Sequence, residues 1–313
     1  MSCLVDLHLH SNVDGSDGTM RPDELINYVL AYARQNGIGD ESITISLTDH
    51  NTICGLVDAA NRAKELGIRF ICGCEIMIYD ADDDIQAEIL AYGDYEKLKL
   101  PEFKSVIFQA SEAVKRKIIK HIELWHNQGL NIEGINVSLP EILYNELRKA
   151  DLHNDYDFFI RYVKPRINQV IGRKLNRDLA TKIFYQQIRE KEGQLYVDLE
   201  ECGFPSSKSV LSVTSELGLI TSLAHPGEYK IEREQLTEFM NKLIMSGLDG
   251  IEVYSRKNCN NMINYLKGFC EERGLLLTGG SDFHGSRENC KIGMYSDEKY
   301  IPDNILFSFN VGI

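Results

Sequence analysis

The chain has 313 residues, 43% hydrophobic and 26% charged, with 34 basic against 47 acidic side chains. This is enough material for a full hydrophobic core in one large domain or two ordinary ones. No stretch approaches the roughly 18 consecutive apolar residues of a membrane span, and a net charge of -13 lacks the basic footprint needed to bind along a nucleic acid. The first residues lack the basic segment and apolar run of a signal peptide, so a cytoplasmic protein is expected. Eight cysteines, none in a CxxC pair, read as reduced and mainly buried thiols.

In chain order, β-rich runs at Cys3–Leu9, Ile43–Leu47, Arg69–Cys74 and Gln86–Tyr92 alternate with helical patterns at Pro22–Gln35 and Thr52–Leu66. After a break, strands at Leu219–Leu223, Gly250–Val253 and Leu275–Thr278 alternate with helices at Ser206–Leu217, Glu232–Ser246 and Asn258–Arg273. Pro22 opens the first helix, and Gly37, Gly67, Gly218, Gly247 and Gly274 each follow a helical pattern. This alternation predicts parallel strands joined by crossover helices. Residues 95–201 interrupt it. They are rich in Lys, Glu, Asn and Tyr and read as helices at Ser111–Gln128, Pro140–Ala150, Asp155–Val163 and Asn176–Lys191. The expected organisation is a barrel of residues 1–94 and 202–313 with a helical subdomain, 95–201, inserted between two of its strands.

Chemistry begins at Asp6-Leu7-His8-Leu9-His10-Ser11. Strand alternation places Asp6, His8 and His10 on one face and sends Leu7 and Leu9 into packing. Two imidazoles so spaced can bind one metal with a carboxylate orienting them from behind; solvated histidines on an edge strand fit HxH alone equally well. Position separates the two. His50, Glu75 and His225 follow three different apolar runs and Asp282 with His284 follows a fourth, and in a parallel barrel such strand ends converge on one mouth. A mixed His, Asp and Glu set suits zinc, manganese or ferrous iron. His121, His126 and His153 fall in the polar insert and are expected at the surface or in helix packing.

The segments DLHLHS (6–11), SDGTMRPDELI (16–26), SLTDHNTICG (46–55), GCEI (73–76), LAHPGEY (223–229), GIEVY (250–254) and GGSDFHG (279–285) resemble, in order, the PHP (polymerase and histidinol phosphatase) metal-dependent phosphoesterases. The layout of the insert is similar to that of nucleoside 3′,5′-bisphosphate and AMP phosphatases. The resemblance implies a distorted (βα)7 TIM-like barrel holding two or three divalent ions. His8, His10, Glu75 and Asp282 would hold one, with Glu75 bridging to a second, and Asp17, His50 and His284 would hold a third. His225 would ligate metal or face the scissile phosphate, so that His225, Asp282 and His284 are the catalytic candidates. Two departures stand out. Two extra residues between Ser11 and Gly18 create a second Asp-Gly pair, so Asp14 competes with Asp17 as ligand, and Asp17 keeps the better downstream match. Glu88 stands where the family carries a metal histidine.

Weaker signals accompany these. Cys72 and Cys74 read as core thiols rather than ligands. Arg256 and Lys257, after the Gly250–Val253 strand, are candidates to grip a substrate phosphate, as are Arg173, Lys174 and Arg177 in the insert, although solvated charges explain them as well. Tyr79, Tyr92 or Tyr254 could stack on a base. The resemblance implies hydrolysis of a small phosphate monoester, a nucleotide or nucleoside bisphosphate first, by a hydroxide held between metals, with the insert as a mobile lid. Another small ester such as histidinol phosphate, a cyclic phosphodiester, the 5′ ends of short RNA, or a metal-binding module without catalysis are the competing readings.

Overall fold

The computed structural model describes residues 3–150, 152, 154–285 and 291–308, without the side chains of 306–308. His153 and Cys290 lie outside the described residues. In chain order β1 (Leu4–Leu9), α1 (Pro22–Gln35), β2 (Ile43–Leu47), α2 (Leu56–Glu65), β3 (Arg69–Asp80) and β4 (Ile85–Gly93) lead through α3 (Tyr95–Leu98) into α4 (Pro101–Gln128). A hairpin of β5 (Leu130–Ile132) and β6 (Ile135–Val137) is followed by α5 (Glu141–Leu147), α6 (Asp155–Phe158), α7 (Lys164–Ile171) and α8 (Arg177–Phe184). The chain then alternates again through α9 (Ser207–Glu216), β7 (Ile220–Leu223), α10 (Arg233–Met245), β8 (Gly250–Ser255), α11 (Asn260–Arg273) and β9 (Leu276–Gly280).

Local chemistry explains the boundaries. α1 starts with Pro22, carries Asp23 and Glu24 in its first turn, and the Glu24 carboxylate accepts the Arg21 N–H at 3.1 Å. Leu25, Ile26, Val29, Leu30 and Ala33 form its buried stripe. α2 begins later than the expected Thr52. Asn51 adopts φ 51°, and the Thr52 hydroxyl accepts the Cys54 N–H at 3.3 Å, which favours a turn over a helix.

Seven strands form one sheet in the order β1-β2-β3-β4-β7-β8-β9. A parallel bridge between Leu9 and Phe283, with His10 N–H donating to Phe283 O at 3.0 Å and Asp282 N–H donating to His8 O at 3.0 Å, nearly closes it into a barrel. The expectation of uniformly parallel strands is corrected at β4, which is antiparallel to both β3 and β7. Only the turn Ala81–Asp84 joins β3 to β4, too short for the dozen or more residues of a crossover.

The two faces of the sheet bury different things. Ile43, Ile45, Leu47, Ile76, Ile89, Ile251 and Val253 pack with the helices, while Val5, Leu7, Ile71, Leu90 and Tyr92 cluster with Ala224, Ile301 and Ile305 inside the barrel. By the two-residue period, Glu75 follows Ile71 to the inside, Glu88 follows Leu90, and Glu252 opposes Ile251 and Val253. β1 breaks the period. Its register with β2 shifts between Asp6 and Leu9, so Leu9 joins Leu4 in the helix-facing core. The extra residue is a β-bulge. It leaves Asp6 on the outer face, correcting the expectation that Asp6 shares a face with both histidines, and turns His8 and His10 inward.

The chain divides into two compact units, 1–110 with 205–313, and 111–204. The first unit extends past residue 95 because Leu98, Phe103, Val106, Ile107 and Ala110 belong to its core. Within the second unit, the stretch read as wholly helical contains the β5–β6 hairpin, whose two-residue turn Glu133-Gly134 has positive φ at both positions. The helix expected to end at Val163 runs on through α7 to Ile171, with a π turn over Phe159–Val163 just before Pro165 that accommodates the proline. A buried ion cluster organises this unit: the Asp155 carboxylate accepts from Lys117 at 2.8 Å and from Arg189 at 2.6 Å. Burial opposes its charge, but the two cations outweigh burial and hold the carboxyl well below its usual range. His121 is fully buried, stacked on Phe158, and burial, followed by the Lys117 charge, lowers it to about 4.

Two outcomes follow. A carboxyl depressed in the folded state adds stability above its unfolded value of about 3.9, so the 111–204 unit should lose amide protection as pH falls through and below that value. Asp155→Ala, which strands a buried lysine, should cost about 3 kcal/mol, read by hydrogen exchange over 111–128. At β9, a Cβ on Gly280 would collide with the Cβ and backbone N of His8. Gly280→Ala should therefore destabilise the barrel by about 3 kcal/mol in denaturant unfolding.

Candidate metal centre

The inward turn of β1, the loops after β2, β7 and β9, and the body of β3 and β4 bring His8, His10, Asp17, His50, Glu75, Glu88, His225, Asp282 and His284 together at the barrel mouth. Glu75 lies at the centre, fully buried. Its Oε1 is 3.2 Å from His8 Nε2 and 3.1 Å from His225 Nε2, and its Oε2 is 3.4 Å from His10 Nε2 and 2.9 Å from His50 Nδ1. Glu75 is not at a strand end, as its sequence position suggested. β3 continues to Asp80, pairing with β4, whereas its pairing with β2 stops at Cys72.

On one side, Asp17 Oδ1 is 2.9 Å from His284 Nε2 and 3.4 Å from His50 Nε2, and the His10 ring stacks between His50 and His284. Asp14, the competing aspartate, is exposed. On the other side, Glu88 Oε2 is 3.3 Å from His225 Nε2. Antiparallel β4 places this position at the mouth near its N-terminal end. Asp282 Oδ1 is 3.2 Å from His10 Nε2 and 3.5 Å from His8 Nε2.

The donors form three overlapping groups with ligand atoms within 4.8 Å of one another: His10, Asp17, His50 and His284; His8, His10 and Glu75; and His50, Glu75 and Glu88. His8 Nε2, both nitrogens of His10, His225 Nδ1 and Glu75 Oε2 are buried with no hydrogen bond among the described residues. Buried polar atoms left this way are costly, and a shared cation satisfies imidazole and carboxylate together. The residues therefore fit divalent metal. The charge states differ across the cluster, and a ring offers its nitrogen to a metal only when it is neutral. Burial, then the charges of His284 and His50, lowers His10 to about 3, leaving a neutral ring with a free lone pair. Burial, then the Glu75 charge, raises Glu88 to about 7. At His225 burial opposes the charged form, but the Glu75 hydrogen bond and the Glu88 charge lift it to about 10.

The backbone is strained where this geometry is made: His225 has φ 27° and Asp282 φ 55°, values few non-glycine residues adopt. Buried carboxylates outside the cluster hold it from behind. Asp49 accepts both the N–H and the hydroxyl of Ser11, at 2.6 and 2.7 Å. Asp6 accepts the backbone N–H groups of Ser281 and Gly293 at 2.9 and 2.7 Å, tying β1 to the segment after β9. The carboxylate that meets an imidazole is Glu252, 3.0 Å from His8 Nδ1. Sequence reading passed over Glu252, although a glutamate flanked by Ile251 and Val253 in a strand was a usable signal.

The other candidates are dispersed. Lys257 Nζ is 3.8 Å from Asp282 Oδ2 and 3.4 Å from Glu228 Oε1, at the edge of the cluster. Arg256 pairs with Asp297 at 2.8 Å. Arg173, in the 111–204 unit, pairs with Glu133, and Arg177 is exposed there. Cys74 is buried in the core and burial raises its thiol well above its usual range; burial also raises the Cys72 thiol, to about 11. Tyr92 is buried and donates to Leu7 O, Tyr79 donates to Asp84, and the Tyr254 ring lies against Tyr295.

A nearly closed barrel gathering imidazoles and carboxylates at one mouth is the architecture of a metal-dependent hydrolase. Residues 6–191 match the PHP domain. The chain belongs to the PHP family and is a metal-dependent phosphoesterase. It is 25% identical over 288 residues to a phosphoribosyl 1,2-cyclic phosphate 1,2-diphosphodiesterase of Eggerthella lenta, covering 90% of this chain and 94% of that protein. A 5′-3′ exoribonuclease of Haemophilus influenzae is 25% identical, with 91% of each chain covered, and a 3′,5′-nucleoside bisphosphate phosphatase of Chromobacterium violaceum is 23% identical, covering 91% and 88%. In fold it is similar to a proposed metal-dependent phosphoesterase of Bifidobacterium adolescentis, with TM-score 0.67, 21% identity, and 98% and 95% of the chains covered. A Chromobacterium violaceum amidohydrolase with bound sulfate gives TM-score 0.66 at 20% identity, covering 90% and 88%. Among the described residues no helix is long and apolar enough to cross a membrane.

The geometry separates the two aspartates of the first loop. Asp17→Ala should lower the metal retained after dialysis, whereas Asp14→Ala should leave it unchanged. His10→Ala and Asp282→Ala should each lose metal and phosphoesterase activity together, measured as metal content and turnover on one sample.

Proposed function

We propose that this chain hydrolyses a small phosphate monoester, a nucleotide or nucleoside 3′,5′-bisphosphate, using two or three divalent ions drawn from manganese, zinc and iron. The observation that carries the reading is Glu75, a buried carboxylate whose two oxygens face different histidines, as a bridge between ions requires. His8, His10, Glu75 and Asp282 would hold one ion. Glu75 and Glu88, with His50 or His225, would hold a second. Asp17, His50 and His284 would hold a third. When bound, the ions would lower the pKa of a water toward about 7 and neutralise the phosphate oxygens.

The chain's own residues supply the rest. His225, Asp282 and His284 would exchange protons with the attacking water and the leaving oxygen. Lys257, half-exposed beside Asp282, offers an ammonium to a non-bridging phosphate oxygen. Arg256 is a further proposed phosphate contact. A mouth lined by Asp17, Glu75, Glu88 and Asp282 repels phosphate until cations fill it, which reconciles an acidic chain with an anionic substrate. A cyclic phosphodiester is the second reading, supported by the similarity to the Eggerthella lenta diphosphodiesterase.

The test is turnover of AMP, 3′,5′-bisphosphates, a cyclic phosphate, dinucleotides and histidinol phosphate by manganese-reconstituted protein. Selective release of phosphate from one nucleotide class is expected. Metal-loaded protein that turns over only the cyclic ester selects the second reading, and turnover of none overturns both. Lys257→Ala should raise KM about tenfold with kcat little changed, the loss of one charge-assisted contact made in ground and transition states alike.

A further inference from the structure

Glu252 has no part in the chemistry above, yet it is fully buried on β8 between the core residues Ile251 and Val253. A carboxylate so placed is costly unless its oxygens are used. Both are used, one on β1 and one on the loop after β7. Oε1 lies 3.0 Å from His8 Nδ1, and Oε2 accepts the backbone N–H of His225 at 2.8 Å. An ionised carboxylate only accepts hydrogen bonds, so Nδ1 is the donor and His8 Nε2 is directed at Glu75 Oε1 and Asp282 Oδ1, 3.2 and 3.5 Å away. The second bond holds a turn at φ 27°, ψ 61°, from which His225 Nε2 reaches Glu75. Asn258 reinforces it: its Nδ2 donates to the main-chain oxygens of Glu252 and Val253 at 2.9 and 3.0 Å, and its Oδ1 accepts the Gly227 N–H at 2.7 Å.

We infer that Glu252 is the positioning residue of the metal centre, a single carboxylate that sets the Nδ1–H tautomer and direction of the His8 ring and clamps the strained His225 turn, aligning donors from β1 and β7 as a pair. This rests on the reading that His8 holds metal. Glu252→Gln keeps the volume but turns an amide N–H2 toward one of the two donors, so either the His225 N–H loses its acceptor or His8 Nδ1 becomes an acceptor and the ring takes the opposite tautomer.

The experiment measures Mn2+ affinity of the chelator-stripped full chain by competition, together with thermal unfolding of the metal-free protein. Glu252→Gln should bind Mn2+ 10- to 100-fold more weakly while unfolding within a few degrees of wild type, and the loss should be clearly smaller in a His8→Ala background, where only the hold on the His225 turn is left to lose. Wild-type affinity in Glu252→Gln, or an undiminished loss in the double variant, overturns the inference. Wild-type affinity in His8→Ala overturns instead the reading on which it rests. Should Glu252→Gln fail to fold, 15N-histidine NMR of the Zn2+-loaded wild type decides: His8 protonated at Nδ1 supports the positioning role, and His8 protonated at Nε2 overturns it.

Discussion

One buried carboxylate sets the terms for the whole barrel mouth. Glu75 is removed from water and surrounded by the rings of His8, His10, His50 and His225. A lone carboxylate at that depth would cost several kcal/mol, and β1 with the loops after β2 and β7 delivers imidazoles to within 2.9–3.4 Å of it. The imidazoles in turn carry nitrogens with no hydrogen bond among the described residues. Neither set is satisfied by protein alone, and divalent cations satisfy both at once. The centre is in this sense built around charge that the polypeptide does not itself supply.

Barrel closure is what makes the compensation possible. The β1 bulge rotates His8 and His10 inward, and the bridge between Leu9 and Phe283 brings Asp282 and His284 across the seam. Gly280 lets β9 approach the His8 backbone without a Cβ in the way. Asp6, left on the outer face by the same bulge, becomes a strut that gathers the N–H groups of Ser281 and Gly293. Left-handed backbone at His225 and Asp282 is tolerated because such bonds over-determine it.

The donor groups differ in hardness. His10, Asp17, His50 and His284 offer three nitrogens to one oxygen donor, whereas Glu75 and Glu88 contribute two carboxylates beside His50. Oxygen-rich positions favour harder ions and imidazole-rich positions borderline ones, so Glu88 makes one end of the cluster the harder site. Because β4 runs antiparallel to its neighbours, the residue it brings to the mouth is Glu88, near the beginning of the strand.

Much of this was legible in the residues. The alternation of apolar runs and amphipathic helices, the histidines that follow those runs, and the ordered PHP-like segments required no tertiary information, because strand period, helix caps and short motifs are local properties of the chain. The direction of β4, the bulge in β1 and the part played by Glu252 were not local. A two-residue period cannot register one inserted residue, a short turn reverses a strand without altering its composition, and a buried glutamate declares a partner only when another strand is laid beside it. The sequence by itself determined which side chains could carry metal chemistry; only the folded barrel decided which of them meet, because distances of about 3 Å between residues some 240 positions apart are set by packing and closure.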